Sequence, residues 1–87
     1  MVMISGYTND FCVFPNPIID KTFTLQTNFV SEGLIEFVIY NNLGRIEKKL
    51  AITEWRSDFT FDDLEDGIYF FKLIYAEGII IKRVVVT

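Results

Sequence analysis

One stretch near the carboxyl end, residues 66–86 (DGIYFFKLIYAEGIIIKRVVV), constrains the fold most strongly. It contains two runs rich in β-branched and aromatic residues, joined by Ala76-Glu77-Gly78. Such runs around a short glycine-containing connection predict a β-hairpin, with Gly78 at a positive-φ position of its loop. Because side chains alternate along a strand, one face of the first run carries Tyr69, Phe71, Leu73 and Tyr75. The opposite face is also largely apolar, so we expect this strand inside a sheet, covered by the rest of the chain.

Five upstream segments also have the composition of strands: residues 11–14, 21–27, 34–40, 45–52 and 57–61. Turn-forming residues separate them, including the segment 41–44 (NNLG) and the acidic segment 62–67 (DDLEDG). With the hairpin this makes seven strands and predicts an all-β fold, a seven-stranded antiparallel immunoglobulin-like β-sandwich. Its predicted aromatic core consists of Phe23, Phe37, Phe59, Phe61, Tyr69 and Phe71. A short helix over residues 47–56 is the alternative for that segment.

The alternation assigns inward positions to the individual strands. In the segment 34–40 these are Ile35, Phe37 and Ile39, and in the segment 45–52 they are Ile46, Leu50 and Ile52. Residues 1–10 are predicted to be a linker or tail, and residues 11–87 one domain. The strand 11–14 is expected to stop at Pro15-Asn16-Pro17, because proline cannot donate to a strand ladder.

Composition excludes several classes of function. The net charge is −4 with scattered basic residues, which is unlike a nucleic-acid-binding protein. With no histidine in the chain, Cys12 lacks the usual base for a nucleophile, and as a lone cysteine it is expected to be a small buried apolar residue. The chain is therefore predicted not to be an enzyme and to need no cofactor. No apolar run is long enough to span a bilayer as a helix, and the amino terminus does not resemble a secretory signal peptide.

Two clusters are candidate binding sites. The acidic segment 62–67 fails the calcium-loop template, because Leu64 and Leu73 stand where oxygen ligands are required; a solvated turn is the better interpretation. Trp55 with Arg56 is typical of a sugar platform or an interface hot spot, but a single tryptophan near a strand end also fits a lid over the core.

Four motifs together resemble one family. The segment 14–21 (FPNPIIDK) resembles the "YPNP…D" opening of the type A C-terminal sorting domain of the type IX (Por) secretion system. The segment 38–45 (VIYNNLGR) is similar to its "IYNxxGR" motif, and Asp63-Leu64 with Gly67-Ile68-Tyr69 to its "DLxxGIY" motif. Gly78 with the segment 82–85 (KRVV) resembles the closing "G…KKxxV" strand. The matching residues are Pro15, Asn16, Pro17, Gly44, Gly67, Tyr69, Gly78, Lys82 and Arg83.

The resemblance implies a function carried out with partners. Such a domain lies at the carboxyl end of a cargo protein in certain Gram-negative bacteria and directs that cargo from the periplasm through the outer-membrane translocon. A sortase-like peptidase commonly removes the domain as the cargo reaches the cell surface. Phe14 replaces the family's usual tyrosine, and the ending Val86-Thr87 lacks the basic or amide residues of many members. Since no signal peptide or cargo is present, we expect the chain to be part of a larger gene product.

Two alternatives come from other functional classes. One is a carbohydrate-binding or adhesin module that uses Trp55, and the other is a structural appendage that stabilises a neighbouring domain. A choice also stays open for Lys82 and Arg83. They are either charges that protect a strand from aggregation or, with the closing strand at a sheet edge, part of the address read by a partner.

Overall fold

A computed structural model of the chain describes residues 9–29, 31 and 33–87, and these form an all-β fold. In this part of the chain there are seven strands: β1 (Phe11–Ile19), β2 (Thr22–Thr27), β3 (Ile35–Asn41), β4 (Ile46–Ile52), β5 (Arg56–Thr60), β6 (Gly67–Tyr75) and β7 (Gly78–Val86). The all-β class and the number of strands confirm the prediction. The alternative helix over 47–56 is wrong, because most of that segment lies in β4.

The strands form one continuous sheet in the order β4-β3-β6-β7-β1-β2-β5. Neighbouring strands are antiparallel except β1 and β7, which are parallel and paired at Ile18 and Val86. The prediction of a fully antiparallel arrangement is therefore wrong at this pair, since the first and last strands run side by side in the same direction. The immunoglobulin-like connectivity stays a prediction.

The sheet folds over itself and encloses an aromatic core. The ring of Phe23 on β2 lies 5.2 Å from that of Phe71 on β6, and the ring of Phe59 on β5 lies 5.6 Å from that of Phe37 on β3. Strands that are distant in the sheet order thus pack face to face. Of the six predicted core aromatics, four are buried, and Phe59 and Phe61 are partly buried against them. The predicted core is confirmed.

The first strand differs from the prediction. β1 continues through Pro15-Asn16-Pro17 to Ile19, and its pairing with β2 jumps from Phe14 to Ile19. The prolines lie in this irregularity, where β2 requires no ladder donor from them. The prediction for Cys12 is also wrong: it is exposed, because its neighbour Phe11 takes the inward position.

A bulge accounts for the error in β4. Ile52 is buried and Leu50 is half-buried, but Ile46 is 57% exposed. Between β3 and β4 the register changes from the pair Ile39–Lys48 to the pair Tyr40–Ile46. The extra residue reverses the alternation beyond this point, so Ile46 faces outward.

The predicted hairpin is confirmed as β6 and β7, but its turn is shorter than expected. Tyr75 pairs with Gly78, which leaves only Ala76 and Glu77 in the loop. Gly78 therefore belongs to the strand and does not have positive φ, contrary to the prediction. Positive φ occurs instead at Gly44 (83°) and Gly67 (155°), in the turns before β4 and at the start of β6.

The faces of β6 agree with the prediction only on the inner side. Tyr69, Phe71 and Leu73 are buried, but the opposite face is only partly covered by the described residues, with Ile74 half-buried. There Ile68 is 39% and Phe70 is 37% exposed. The expectation of cover on both faces is wrong at Ile68 and Phe70, because the sheet closes around the core on its inner side.

Of the predicted linker, residues 1–8 lie outside the described residues. Asp10 is attached to the fold: its carboxylate lies 3.1 Å from Lys82 Nζ, and its backbone N–H donates to the Asn28 side chain at 2.7 Å. The chain is thus already held against β2 and β7 one residue before β1 begins.

Candidate recognition surface

The Pro15-Asn16-Pro17 segment contacts the end of the last strand. Asn16 Oδ1 accepts a hydrogen bond from the backbone N–H of Val85 at 3.3 Å, and the Ile18 carbonyl accepts one from Thr87 N–H at 2.9 Å. Across β7, Val86 pairs with Gly67. The structure therefore brings the first motif, the end of the closing motif and the start of the Gly67–Tyr69 motif together at one end of the sheet.

Tyr69 and Gly44 build the turns beside this cluster. The buried Tyr69 hydroxyl donates a 2.7 Å hydrogen bond to the Glu65 carbonyl and so holds the acidic turn against the core. Burial raises the pKa of Tyr69 above its ordinary value, and the charges of Glu47 and Glu65 raise it further. Gly44 completes a turn in which its N–H donates to the Asn41 carbonyl at 3.0 Å.

Gly78 is not part of the cluster. It stands at the opposite end of β7, eight residues from Val86, which corresponds to about 27 Å along an extended strand. Its own contact is with the neighbouring strand of the hairpin, where it pairs with Tyr75.

Lys82 and Arg83 have different environments because consecutive residues of a strand face opposite ways. Lys82 is half-buried, forms the ion pair with Asp10 and places its ammonium 5.7 Å from the centre of the Phe11 ring. It thereby links β7 to the start of β1. Arg83 is exposed and has no hydrogen-bond or ion-pair partner among the described residues. Of these two residues, Arg83 is therefore the one that can bind a partner without loss of a contact in the fold.

An exposed apolar surface surrounds Arg83. It lies on the outer side of the closing hairpin, and we call it the outer hairpin face: Ile68 and Phe70 on β6 with Ile79, Ile81 and Arg83 on β7. Ile79 is 57% and Ile81 is 59% exposed. Lys72 lies on the same side, opposite Ile81, and its ammonium is 5.5 Å from the centre of the Tyr40 ring.

The closing strand is not at the edge of the sheet. The edges are β4 and β5, whereas β7 lies between β6 and β1. The prediction of an edge position is wrong because β1 returns beside β7 after the proline segment. The contact is short, however: the β1–β7 ladder contains the single pair Ile18–Val86.

Comparison with known families explains why these motifs occur together. The model of the secretion system C-terminal sorting domain matches residues 12–87, nearly the whole chain. The chain belongs to this family. No curated protein matches it in a sequence search.

The sorting domain thus carries the type IX motifs on one all-β unit that spans the matched residues. Which of the nine motif residues contact a partner stays a prediction. Structural roles are evident for the proline segment, Gly44, Gly67, Tyr69 and Lys82, and Gly78 pairs with Tyr75 in the hairpin. The side chain of Arg83 has no hydrogen-bond or ion-pair partner among the described residues. The described residues contain no helix that could span a membrane.

The acidic turn of the sorting domain is tied down by lysines. Lys48 pairs with Asp63 and Lys21 with Asp66, each at 2.7 Å. The hydrogen bond from Lys48 lowers the pKa of the Asp63 carboxyl below its ordinary value. Within the described ranges, no group of three or more potential metal ligands comes together. These contacts support the interpretation as a turn.

Trp55 is not a lid over the core, since it is 59% exposed. It lines a cavity of about 430 Å³ together with Leu34 and Glu54, at the end of the molecule where the loops before β3 and β5 meet. Arg56 does not join it, because its guanidinium lies 5.7 Å from the centre of the Phe14 ring.

Sequence reasoning missed two features of this surface. Asp10, the partner of Lys82, was assigned to the linker, and its 72-residue separation from Lys82 leaves no local signal. The outer hairpin face did have a signal, since Ile68 and Phe70 alternate with the core residues of β6. The alternation predicts burial of this face, but it equally indicates an exposed apolar surface, which is often an interaction site.

Proposed function

We propose that this sorting domain directs a cargo protein, attached on its amino-terminal side, to the type IX translocon in the outer membrane. The observation that carries the proposal is the family match over residues 12–87. The structure supports it physically, because the proline segment, Gly67 and the closing strand form one cluster with an exposed apolar surface beside it. A folded module with these features can be recognised without a catalytic site of its own.

In this proposal the chemistry belongs to partners. The cargo crosses the periplasm on its way to the cell surface, and a sortase-like peptidase then removes the sorting domain. The chain itself contains no histidine and one cysteine, Cys12, which agrees with a role as a signal rather than an enzyme. Its net charge of −4 likewise favours protein partners over nucleic acid.

The test is an export assay. A fluorescent reporter with a signal peptide is fused before residues 1–87 and produced in a bacterium that has a type IX system, and in a strain of it that lacks the translocon. We expect reporter at the surface or in the medium of the first strain and in the periplasm of the second. Retention of the reporter in the periplasm of the intact strain would contradict the proposed function.

The same assay examines removal of the domain. If a peptidase cuts the fusion, the surface reporter loses up to the 10.1 kDa of this chain, whereas the periplasmic reporter keeps it. A full-length reporter on the surface would contradict cleavage and leave the sorting role intact.

A carbohydrate-binding module is the second candidate, favoured by the exposed Trp55 beside its cavity. An aromatic ring accessible at a cavity is able to stack on a sugar. Binding of the domain to immobilised glycans, lost on Trp55→Ala while reporter export is unchanged, would show that this function exists beside sorting. Absence of glycan binding by the wild-type chain excludes it for the glycans tested.

A further inference from the structure

Within the described part of the chain, the closing strand has an open edge along more than half of its length. In a hairpin with a two-residue loop, the closing pair Tyr75–Gly78 exchanges hydrogen bonds, and every second pair after it does the same. On β7 these bonds to β6 come from even-numbered residues. The backbone N–H and C=O groups of Ile79, Ile81 and Arg83 therefore point away from β6, toward β1.

Hydrogen bonds further along the strand confirm this direction. The odd-numbered Val85 donates its N–H to Asn16, and Thr87 donates its N–H to the Ile18 carbonyl. Since the ladder with β1 consists of the pair Ile18–Val86, the three preceding odd-numbered residues have no ladder partner on this side among the described residues. No side chain in the described part of the chain bonds to their backbone groups either.

The proline segment accounts for the gap. Phe11 to Phe14 pair with residues Thr24 to Thr27 of β2, so the first half of β1 lies in the other layer of the folded sheet. Where β1 and β7 separate, a cavity of about 240 Å³ is lined by Phe11, Cys12 and Lys82 among others. Among the described side chains, that of Lys82 crosses the gap to Asp10.

The open edge coincides with the exposed side chains of the closing motif. Ile79, Ile81 and Arg83 carry the free backbone groups and also the most exposed side chains of β7 on the outer hairpin face. From Ile79 to Arg83 the edge is five residues long, a common length for a strand. The guanidinium of Arg83 has no partner within the described residues. It is therefore available to bind an acidic side chain of a segment that pairs with this edge.

We propose that the open edge of β7, from Ile79 to Arg83, accepts an extended segment of a partner protein as an added strand, with a carboxylate of that segment bound to Arg83. The proposal rests on the proposed function and assigns its recognition site. Strand addition uses main-chain hydrogen bonds for affinity and alternate side chains for specificity. A second copy of this chain suits the edge less well, since each copy carries a net charge of −4 and brings its own Arg83 to the contact.

The edge itself is tested by amide hydrogen exchange, followed by NMR on residues 1–87. We expect the amides of Ile79, Ile81 and Arg83 to exchange at least about tenfold faster than those of Ile80 and Lys82, which bond to β6. Equal protection of the two sets would overturn the proposal, because the edge would then be closed.

Recognition is tested in the export assay with Ile81→Pro. Proline at this position removes a donor that β6 does not use and places its ring on the edge, so the β6 ladder stays intact. Ile81→Thr is the matched control, since it keeps the N–H and a β-branched shape. We expect about tenfold less surface delivery for the proline variant, because the added strand loses its hydrogen bond to the N–H of residue 81 and the proline ring disturbs the neighbouring bonds. We expect normal delivery for the threonine variant.

Arg83→Glu is the second variant, and it keeps the test valid if Ile81→Pro fails to fold. The Arg83 side chain is exposed, so we expect Arg83→Glu to leave the melting temperature unchanged. Surface delivery should fall about tenfold, because the charge is reversed, whereas Arg83→Lys keeps the charge and should largely retain delivery. Normal delivery of Arg83→Glu, or of a folded Ile81→Pro, overturns the proposal while sorting by the wild-type domain stands.

Two further outcomes are decisive. Retention of the wild-type reporter in the periplasm overturns the proposed function and this proposal with it. A dimer of the wild-type chain in sedimentation experiments, lost on Ile81→Pro, shows that the occupant of the edge is a second copy and overturns the assignment to a partner protein.

Discussion

Phe71→Ala is the sharpest test of the fold, because this side chain is at the centre of the core. Phe71 is 0% exposed, and its ring lies 5.2 Å from that of Phe23 and 5.3 Å from that of Phe37. Phe23 is on β2 and Phe37 is on β3, two strands that are far apart in the order of the sheet. Their positions are fixed by the strand ladders, so the space left by the ring cannot close completely.

The expected loss is large relative to the stability of the domain. Truncation of a buried phenylalanine to alanine costs about 3–5 kcal/mol, from lost transfer free energy and the cavity left behind. At about 0.05–0.15 kcal/mol per residue, a chain of 87 residues has a free energy of unfolding of about 4–13 kcal/mol. The variant is therefore expected to lose about a quarter or more of that free energy, and to be partly unfolded if the wild type lies at the low end.

The assay is urea unfolding followed by far-ultraviolet circular dichroism, with linear extrapolation to water. Phe70→Ala is the matched control, since it makes the same change one residue away on the 37% exposed face. We expect a loss of about 1 kcal/mol or less for the control, as for a partly exposed position. A loss under about 1 kcal/mol for Phe71→Ala, or equal losses for the two variants, would refute the assignment of the faces of β6.

The turns and the buried tyrosine give the remaining predictions. Gly44→Val and Gly67→Val are each expected to lower the free energy of unfolding by about 1–3 kcal/mol, because β-branched residues resist positive φ, whereas Gly78→Ala is expected to change it little. Unchanged melting temperatures for the valine variants would contradict this. The raised pKa of Tyr69 means that the folded state favours the neutral phenol, so stability is full below the ordinary tyrosine value of about 10 and falls as the pH rises through the folded value. Tyr69→Phe should remove this alkaline loss, and an unchanged alkaline unfolding curve would contradict the assignment.

The strands that alternation predicted correctly are those whose pairing is regular. In β2, β3 and β6 the apolar residues at every second position all face the core, as at Phe23, Phe37 and Phe71. Period two is a local property, so the sequence contains it directly. The seven strands and the composition of the core followed from it.

The incorrect predictions occur where strand pairing changes the face on which a residue lies or the point at which a strand ends. Ile46 faces outward because a bulge shifts the register of β4, and Gly78 lies in a strand because the loop is one residue shorter than expected. β1 continues through two prolines because its first half pairs with β2, whereas after the prolines it pairs with both β7, at Ile18, and β2, at Ile19. Register and pairing depend on residues far away in the chain, and no local pattern contains them.

In the candidate site, too, local features could be predicted from the sequence and long-range contacts could not. Adjacent residues of a strand face opposite ways, so the sequence alone already separates Lys82 from Arg83. What it could not supply was the partner of Lys82, Asp10, or the departure of β1 that leaves the edge of β7 open. Both follow from the three-dimensional path of the proline segment.

This separation affects how the closing motif should be studied. The inward residues of β7, Lys82 and Val84, contact Asp10 and the core, so their loss weakens the fold. The outward residues Ile81 and Arg83 are exposed and contribute little to it. Deletion of the strand, or joint substitution of Lys82 and Arg83, changes both sets at once, so a loss of export would not distinguish recognition from folding. Only changes confined to the outward residues separate recognition from folding, because the ladder with β6 and the Lys82–Asp10 ion pair remain intact.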